Sequence, residues 1–122
     1  MMAVILLFGL KKEKEKVVRA VAQKLGANVT EVARKDYGQK LGVLAGIKGF
    51  LKEKKQYDGP DFATEMMVFS GMNPQQVDAF LAEYKATGGQ PVALKAIVTS
   101  HNVFWTADAL FRELVKEHFR LV

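Results

Sequence analysis

Residues 66–76 read Met66-Met67-Val68-Phe69-Ser70-Gly71-Met72-Asn73-Pro74-Gln75-Gln76, and they carry the clearest structural signals in the chain. The large apolar residues at their start predict a buried strand, which Ser70-Gly71 ends as a turn. Asn73 is placed as a helix N-cap, Pro74 suits the first helical position, and Gln76 can complete a capping box. We therefore predict a strand, a tight turn and a helix in direct succession.

The residues that follow predict the rest of a βαβ-like half and one further helix. The first helix carries an apolar stripe at i, i+3, i+4 and i+7 and ends at Gly88-Gly89. Pro91 precedes a strand predicted from Val92 to Val98, and Thr106 is the predicted N-cap of a C-terminal helix. The apolar stripes of the two helices are Val77, Phe80, Leu81 and Tyr84, and Leu110, Phe111, Leu114, Val115 and His118.

The first part of the chain repeats this order. Ala3 to Phe8 predicts a strand, apolar residues at helical spacing up to Leu25 predict a helix, and Gly26 supplies its cap. Val29 to Arg34 alternates weakly and is predicted as a half-exposed strand. Two βαβ-like halves indicate an α+β, ferredoxin-like fold with an antiparallel or mixed four-stranded sheet, an added C-terminal helix and a Gly-rich middle segment.

The predicted central strands are apolar on both of their faces. Residues 4–8 and 66–69 place large side chains at every position, whereas a sheet with one open face alternates apolar and polar residues. The second face therefore needs a cover. We expect either that the final helix and the middle segment supply it, or that two copies pack sheet to sheet as a homodimer.

The middle segment, residues 37–50, is rich in glycine. Gly38, Gly42, Gly46 and Gly49 are spaced three or four apart and would share one face of a helix. Each glycine in a helix interior costs about 1 kcal/mol relative to alanine, so this many glycines need a reason. Close packing, turns, and backbone N–H groups that cradle an anion are the alternatives, and the spacing fits neither common phosphate-loop motif.

Length and composition indicate one domain over residues 1–122. A basic first half (1–57) precedes a connector (58–65) and the second half (66–122). The absence of cysteine excludes disulfide scaffolds, thiol catalysis and cysteine-bound metals. The apolar start of the chain has its charges on the wrong side for a signal peptide and is too short for a membrane span. We therefore expect a cytoplasmic protein with no membrane partner.

Charge is divided unevenly between the two halves. Residues 1–57 carry 13 Lys and Arg against 5 acids, whereas residues 58–122 carry 5 against 8. Nucleic acid is one partner that fits a basic half, although both signs alternate in its charged runs as on a solvated face. Lys48-Gly49-Phe50 matches the start of an RNA-binding motif, and the match ends there.

The best candidate site is the loop from Thr99 to Trp105 with the strand before it. Its polar side chains offer hydrogen bonds, Trp105 offers a flat surface, and a helix N-terminus that favours anions follows. The structural alternative is that the polar residues order the loop and the aromatic residues fill the core. Lys95 either contacts an anion or protects an edge strand from aggregation. The candidate ligand-binding residues are Lys48, Lys95, Thr99, His101, Asn102 and Trp105.

Catalytic residues, metal ligands and cofactors are not predicted. Ser100 and His101 are adjacent in the sequence, which does not bring their side chains into hydrogen-bond reach, and no acidic residue follows closely to orient the histidine. His118 lies on the apolar side of the last helix and is predicted to pack at the core edge. Enzymatic activity is left open, because the residues name no reaction.

The second half resembles an uncharacterised bacterial family, the domain of unknown function 3783. The residues that carry the resemblance are Leu94-Lys95-Ala96-Ile97-Val98-Thr99, Asn102, Trp105, Leu110, Glu113, Leu114, Glu117 and His118, with Met67–Met72 similar to the opening strand and turn. It spans residues 66–119, and residues 37–49 are similar to an extension in longer relatives. Ser100-His101 departs from the Pro-Thr expected there. The resemblance implies no activity, since none is assigned to the family.

These observations favour a small non-catalytic binding module for an anionic small molecule. Lys95, Thr99, Asn102 and Trp105 are expected to border its pocket, with Lys48 approaching from the middle segment. The alternatives are a homodimeric structural or interaction domain and a protein that binds nucleic acid through its basic first half.

Overall fold

The computed structural model describes residues 2–120, so the ends of the predicted 1–122 domain lie outside the described part. The strands are β1 (Val4–Phe8), β2 (Asn28–Glu31), β3 (Met66–Ser70) and β4 (Leu94–Ile97). The helices are α1 (Lys12–Leu25), α2 (Leu41–Leu44), α3 (Pro74–Ala86) and α4 (Ala107–Arg120), and a 3-10 turn spans Arg34–Asp36. Strands and helices alternate in two βαβ units, with α4 added at the end.

The four strands form one mixed sheet in the order β2-β1-β3-β4. Each βαβ unit pairs its own two strands in parallel, and β1 runs antiparallel to β3 at the centre. The predicted α+β fold, the two βαβ halves and the mixed four-stranded sheet are therefore confirmed. The ferredoxin-like arrangement itself is not confirmed, because both units here are unsplit, whereas that arrangement splits them.

Both faces of the sheet are covered by the chain itself. The face that contains Ile5 and Phe69 packs against the buried sides of α1 and α3. The opposite face, which contains Leu6 and Val68, packs against α4, α2 and Tyr37. Two covers were expected for the second face: the final helix together with the middle segment, or a second copy of the chain. The structure shows the first of these. A homodimer stays a prediction, and it would have to use another surface.

Local capping signals predicted the helix ends well. Asn73 accepts a hydrogen bond from the Gln76 N–H and donates its own N–H to the Gln76 side chain, both at 2.8 Å. Gly26 ends α1 in the left-handed conformation, and Thr106 Oγ1 accepts from the Ala109 N–H at 3.1 Å in the first turn of α4. Each of these motifs satisfies backbone groups that a helix end leaves free.

The two edge strands are shorter than predicted. The strand expected from Val29 to Arg34 covers Asn28–Glu31, and the strand expected from Val92 to Val98 covers Leu94–Ile97. In each case one further backbone bond continues the ladder, from Val32 to Leu7 and from Val98 to Phe69. The chain then leaves the sheet because no strand lies beyond an edge to hold it.

The Gly-rich segment forms turns around a single helical turn, α2, and not a long helix. A Cβ on Gly42 would lie 2.6 Å from the ring of Phe50, so the absence of a side chain lets the ring pack against the backbone. Gly46 has a φ of 72°, which ends α2 in a turn. Of the alternatives, packing and turns account for these two glycines.

Candidate functional site

The predicted loop is ordered by its own polar side chains. Asn102 Oδ1 accepts from the Thr99 N–H at 2.8 Å, and Asn102 Nδ2 donates to the Ile97 carbonyl at 3.0 Å. Thr99 Oγ1 accepts from the N–H groups of His101 and Asn102 at 3.2 and 3.1 Å. The Thr99 and Asn102 side chains therefore hold the loop in shape, as the structural alternative for this loop predicts.

Trp105 and His101 lie close together beside this loop. Their ring centroids are 5.6 Å apart in an edge-to-face arrangement, with His101 exposed and Trp105 half-buried. Trp105 packs against the core on the α4 side of the sheet. The structure therefore brings together four predicted site residues: Thr99, His101, Asn102 and Trp105.

Lys95 lies on the other face of the sheet. It is in register with Met67, whose side chain belongs to the core between the sheet, α1 and α3. Because Trp105 packs on the α4 side, the prediction that Lys95 and Trp105 border one pocket is corrected. Strand alternation placed Lys95 correctly, but the path of the loop after β4 carries Trp105 to the opposite face. The prediction that β4 is an edge strand is confirmed.

Lys95 lines a separate pocket of about 310 Å³ between the end of α3, the following loop and β4. The lining is mainly apolar, and its two charged residues are both lysines. Lys95 Nζ donates one hydrogen bond, to the Val92 carbonyl at 3.0 Å. The lining residues are Met67, Leu81, Tyr84, Lys85, Gly89, Pro91, Val92 and Lys95.

Tyr84 forms one wall of this pocket, which we call the Lys95 pocket. Its hydroxyl donates to the Gln90 carbonyl at 2.5 Å, and Gly89 leaves room for the ring because a Cβ there would collide with it. Burial, followed by the negative charge of Glu65, raises the pKa of Tyr84. The ring is therefore held as a neutral, fixed wall.

Lys48 is exposed in the turn after α2. Its segment does approach the predicted loop: the N–H groups of Leu41 and Gly42 donate to the carbonyls of Trp105 and Val103 at 2.8 and 3.0 Å. The middle segment and the loop thus form one continuous surface. The segment contacts the loop through its backbone, and the predicted approach of Lys48 to a ligand there stays a prediction.

This surface contains a groove that the sequence reasoning missed. Phe50 and Phe104 meet with ring centroids 5.3 Å apart, and they line a groove of about 500 Å³ together with Leu51 and basic residues. We call it the Phe50–Phe104 groove, and it is lined by Lys40, Gly49, Phe50, Leu51, Lys52, Glu53 and Phe104. The structural alternative for the loop places Phe104 in the core, but 63% of its surface is exposed. The contact joins residues distant in sequence, so only the apolar pair Phe50-Leu51 among lysines could have signalled it.

The described residues contain no obvious centre for metal chemistry. Within residues 2–120, no group of three or more histidine or acidic side chains is placed to hold a metal ion. His118 is exposed on α4. In the same part of the chain, no helix has the length and apolar character required to span a membrane.

Comparison with protein families identifies the second half of the chain. Residues 65–121 match the family described as a domain of unknown function, DUF3783. The match spans 57 of the chain's 122 residues, and we call residues 65–121 the DUF3783 region. The DUF3783 region covers β3, α3, β4 and α4, which is one βαβ unit together with the helix that covers the opposite face. Searches of curated proteins and of solved structures found no match to the chain.

The two cavities relate differently to the DUF3783 region. Every residue that lines the Lys95 pocket lies inside it. The Phe50–Phe104 groove takes only Phe104 from the DUF3783 region, and its other lining residues lie between Lys40 and Glu53. The pocket is therefore a feature of the matched region, whereas the groove depends on the preceding segment.

Proposed function

We propose that the protein is a non-catalytic binding module that holds a small, largely apolar anion in the Lys95 pocket. The observation that carries this proposal is the chemistry of the lining, where an apolar floor is combined with two lysines and no acidic residue. The proposal includes a cytoplasmic location and a bacterial source, and the bacterial source is supported by the family resemblance.

The dimensions and donors of the pocket support a ligand of this class. Its volume of about 310 Å³ lies at the lower end of the range of small-molecule pockets. A lysine has three N–H donors, and Lys95 uses one of them for the Val92 carbonyl. The ammonium group is thus held beside the pocket with donors left for a carboxylate, while Met67 and Leu81 supply apolar contacts.

The loop at Thr99 supports anion binding less well. Both polar atoms of the Asn102 side chain and the Thr99 hydroxyl already form hydrogen bonds within the loop. A ligand there would have to replace these bonds, at a cost of about 1 kcal/mol for each neutral bond lost. The Lys95 pocket does not require this exchange.

Octanoate provides a direct test, because it joins one carboxylate to a short apolar chain. We expect calorimetric titration to detect octanoate binding and Lys95→Met to weaken it at least tenfold, since a hydrogen bond to a charged group contributes about 1.5–3 kcal/mol. Lys116→Met is the matched control, because Lys116 is exposed on α4 across the sheet. Its affinity for octanoate should equal that of the unmodified protein.

Two further readouts make the test specific. Octanol has the same chain without the charge and should bind more weakly than octanoate. Trp105 fluorescence should not change on octanoate binding, because Trp105 packs on the opposite face. Equal binding of octanol and octanoate, or unchanged octanoate affinity in Lys95→Met, contradicts the proposal.

A further inference from the structure

The Phe50–Phe104 groove and the basic surface beside it have a different chemistry from the Lys95 pocket. We propose that this surface binds single-stranded nucleic acid, with bases against the exposed Phe104 ring and phosphates beside the lysines of residues 35–55. The inference is independent of the proposed function, since it uses none of the residues that line the Lys95 pocket.

This surface is formed by a strongly basic stretch of the chain. Residues 34–56 contain seven Lys and Arg against two acidic residues, a net charge of +5, which equals the formal net charge of the whole chain. One of the two acids, Asp36, is already paired with Lys52, whose Nζ lies 3.4 Å from Asp36 Oδ1. A polyanion approaching the protein would therefore be attracted to residues 34–56.

Apolar side chains are exposed in the middle of this charge. Leu51 is 86% exposed and Phe104 is 63% exposed, and they are two of the four large apolar side chains that are exposed within residues 2–120. Phe50 supports Phe104 from one side, with the two ring planes inclined at 40°. A supported and exposed aromatic ring beside lysines is the arrangement on which unpaired bases stack.

The surface is elongated, which favours a chain over a compact metabolite. A second groove of about 240 Å³ shares Lys52 and Glu53 with the Phe50–Phe104 groove and continues to Lys35, Lys54 and Lys55. Gln39 fixes the backbone between them, because its side chain donates to the Glu53 carbonyl at 2.7 Å and accepts from the Glu53 N–H at 2.9 Å. The two grooves therefore form one track on a fixed stretch of backbone.

A lipid surface fits this track less well than a nucleic acid does. The exposed apolar groups Leu51 and Phe104 occupy one end, and the other end is lined by lysines, Asp36 and glutamines. A membrane would bury only the apolar end, whereas a single strand alternates bases and phosphates along its whole length. Lysine contacts phosphate as a point charge, and phenylalanine stacks on any base, so binding should show little sequence preference.

Fluorescence anisotropy with a labelled single strand of about 12 nucleotides, within the range of known site sizes, tests the proposal. Phe104→Ala should weaken binding about tenfold through the lost stacking, and Phe104→Trp should retain or strengthen it. Because Phe104 is exposed, both variants should fold, and circular dichroism checks this. A duplex of the same length should bind more weakly than the single strand, since its bases cannot stack on the ring.

Removing the same charge from two different surfaces distinguishes binding along this track from general electrostatic attraction to a basic protein. The triple variant Lys52→Gln, Lys54→Gln, Lys55→Gln should reduce the slope of log affinity against log salt by about 2, as expected for the loss of three phosphate contacts on a single strand. The matched control is Lys11→Gln, Lys12→Gln, Lys16→Gln, which removes the same charge from exposed positions on and beside α1. This control should leave the slope nearly unchanged.

Four results would overturn the proposal. These are equal losses in the two triple variants, no effect of Phe104→Ala, equal affinity for the duplex, and equal affinity for an oligoglutamate of similar charge. Binding to phosphatidylcholine vesicles that contain phosphatidylserine, with the same dependence on Phe104 and without oligonucleotide binding, would instead assign the surface to a membrane. The Lys95→Met variant should bind the oligonucleotide normally, which keeps this test separate from that of the pocket.

Discussion

Gly42 shows how the absence of one side chain shapes a surface on this protein. The Phe50 ring lies where a Cβ on residue 42 would be, and the same ring supports Phe104. The position of the exposed Phe104 ring therefore depends on Gly42, because Gly42 leaves room for the Phe50 ring that contacts Phe104. A change at Gly42 should affect both the stability of the chain and the shape of the groove.

We expect Gly42→Ala to lower the free energy of unfolding by about 1–3 kcal/mol, because the added methyl group forces the Phe50 ring to move. Gly38→Ala is the matched control, since a Cβ there would lie 3.7 Å from Tyr57 in ordinary contact. Urea unfolding of the two variants measures the difference. Equal stabilities would mean that Phe50 rearranges without cost.

Single residues also show what the sequence could reveal about the site. The roles of Asn102 and Thr106 as loop and cap residues were predictable, because each acts on backbone within five positions of itself. The separation of Lys95 from Trp105 was not predictable. Strand alternation assigns side chains to one face of the sheet only as far as the strand extends, and Trp105 lies beyond the end of β4. The pairing of Phe50 with Phe104 joins two loops, and no local pattern reports such a contact.

At the scale of elements, α3 depends on the reciprocal hydrogen bonds of its capping box. Asn73→Ala should lower the free energy of unfolding by about 0.5–2 kcal/mol, because the Gln76 N–H loses its partner at the helix start. Gln75→Ala is the control, since Gln75 is exposed and takes no part in the box. Thermal unfolding compares the two variants, and an equal loss in both would show that the cap contributes nothing.

Elements bounded by local signals were predicted better than those shaped by distant contacts. The helix α3 has a cap, a proline and an apolar stripe in its own sequence, and its limits agree with the prediction. The segment around α2 takes its shape from hydrogen bonds to Val103 and Trp105, about sixty positions away along the chain. Its glycines indicated an unusual backbone conformation, but they did not indicate which conformation the segment adopts.

At the scale of the whole molecule, the tyrosines make stability sensitive to alkaline pH. Burial raises the pKa of each of the three tyrosines, and nearby Asp61, Asp108 and Glu65 raise those of Tyr37, Tyr57 and Tyr84 further. An unfolded chain releases these protons near about pH 10, whereas the folded chain retains them to higher pH. The tyrosines' contribution is therefore fully present below about pH 10 and is lost as pH rises through the folded values.

Tyrosinate absorbance provides the measurement. We expect the folded protein to ionise its tyrosines at higher pH than the urea-unfolded chain, and the free energy of unfolding to fall as pH rises above about 10. Tyr37→Phe should make this fall less steep, because Tyr37 is buried and its hydroxyl donates to Asp61. Identical titrations in the folded and unfolded states would contradict the assignment.

The overall architecture was predictable to the level of two βαβ halves and one covering helix. The apolar character of both strand faces required a second layer, and the structure supplies it from α4 and the middle segment. The strand order was beyond reach, because the same two halves can be assembled split or unsplit with equal satisfaction of their apolar residues. The parallel pairing of β1 with β2 and of β3 with β4 resolves that choice.

The β1–β3 pairing also governs how the chain must fold. Val4 pairs with Ser70 and Phe8 with Met66, so the central ladder joins residues roughly sixty positions apart. Neither half can bury its own central strand until the long loop between β1 and β3 has closed. Closing this loop lowers the entropy of the chain, and most of the contacts that compensate for the loss form only afterwards. Closure should therefore limit the folding rate. The entropic cost of closing this loop grows only with the logarithm of its length. Insertions between β2 and β3 should therefore slow folding slightly, and loop closure should still come before the burial of the central strands.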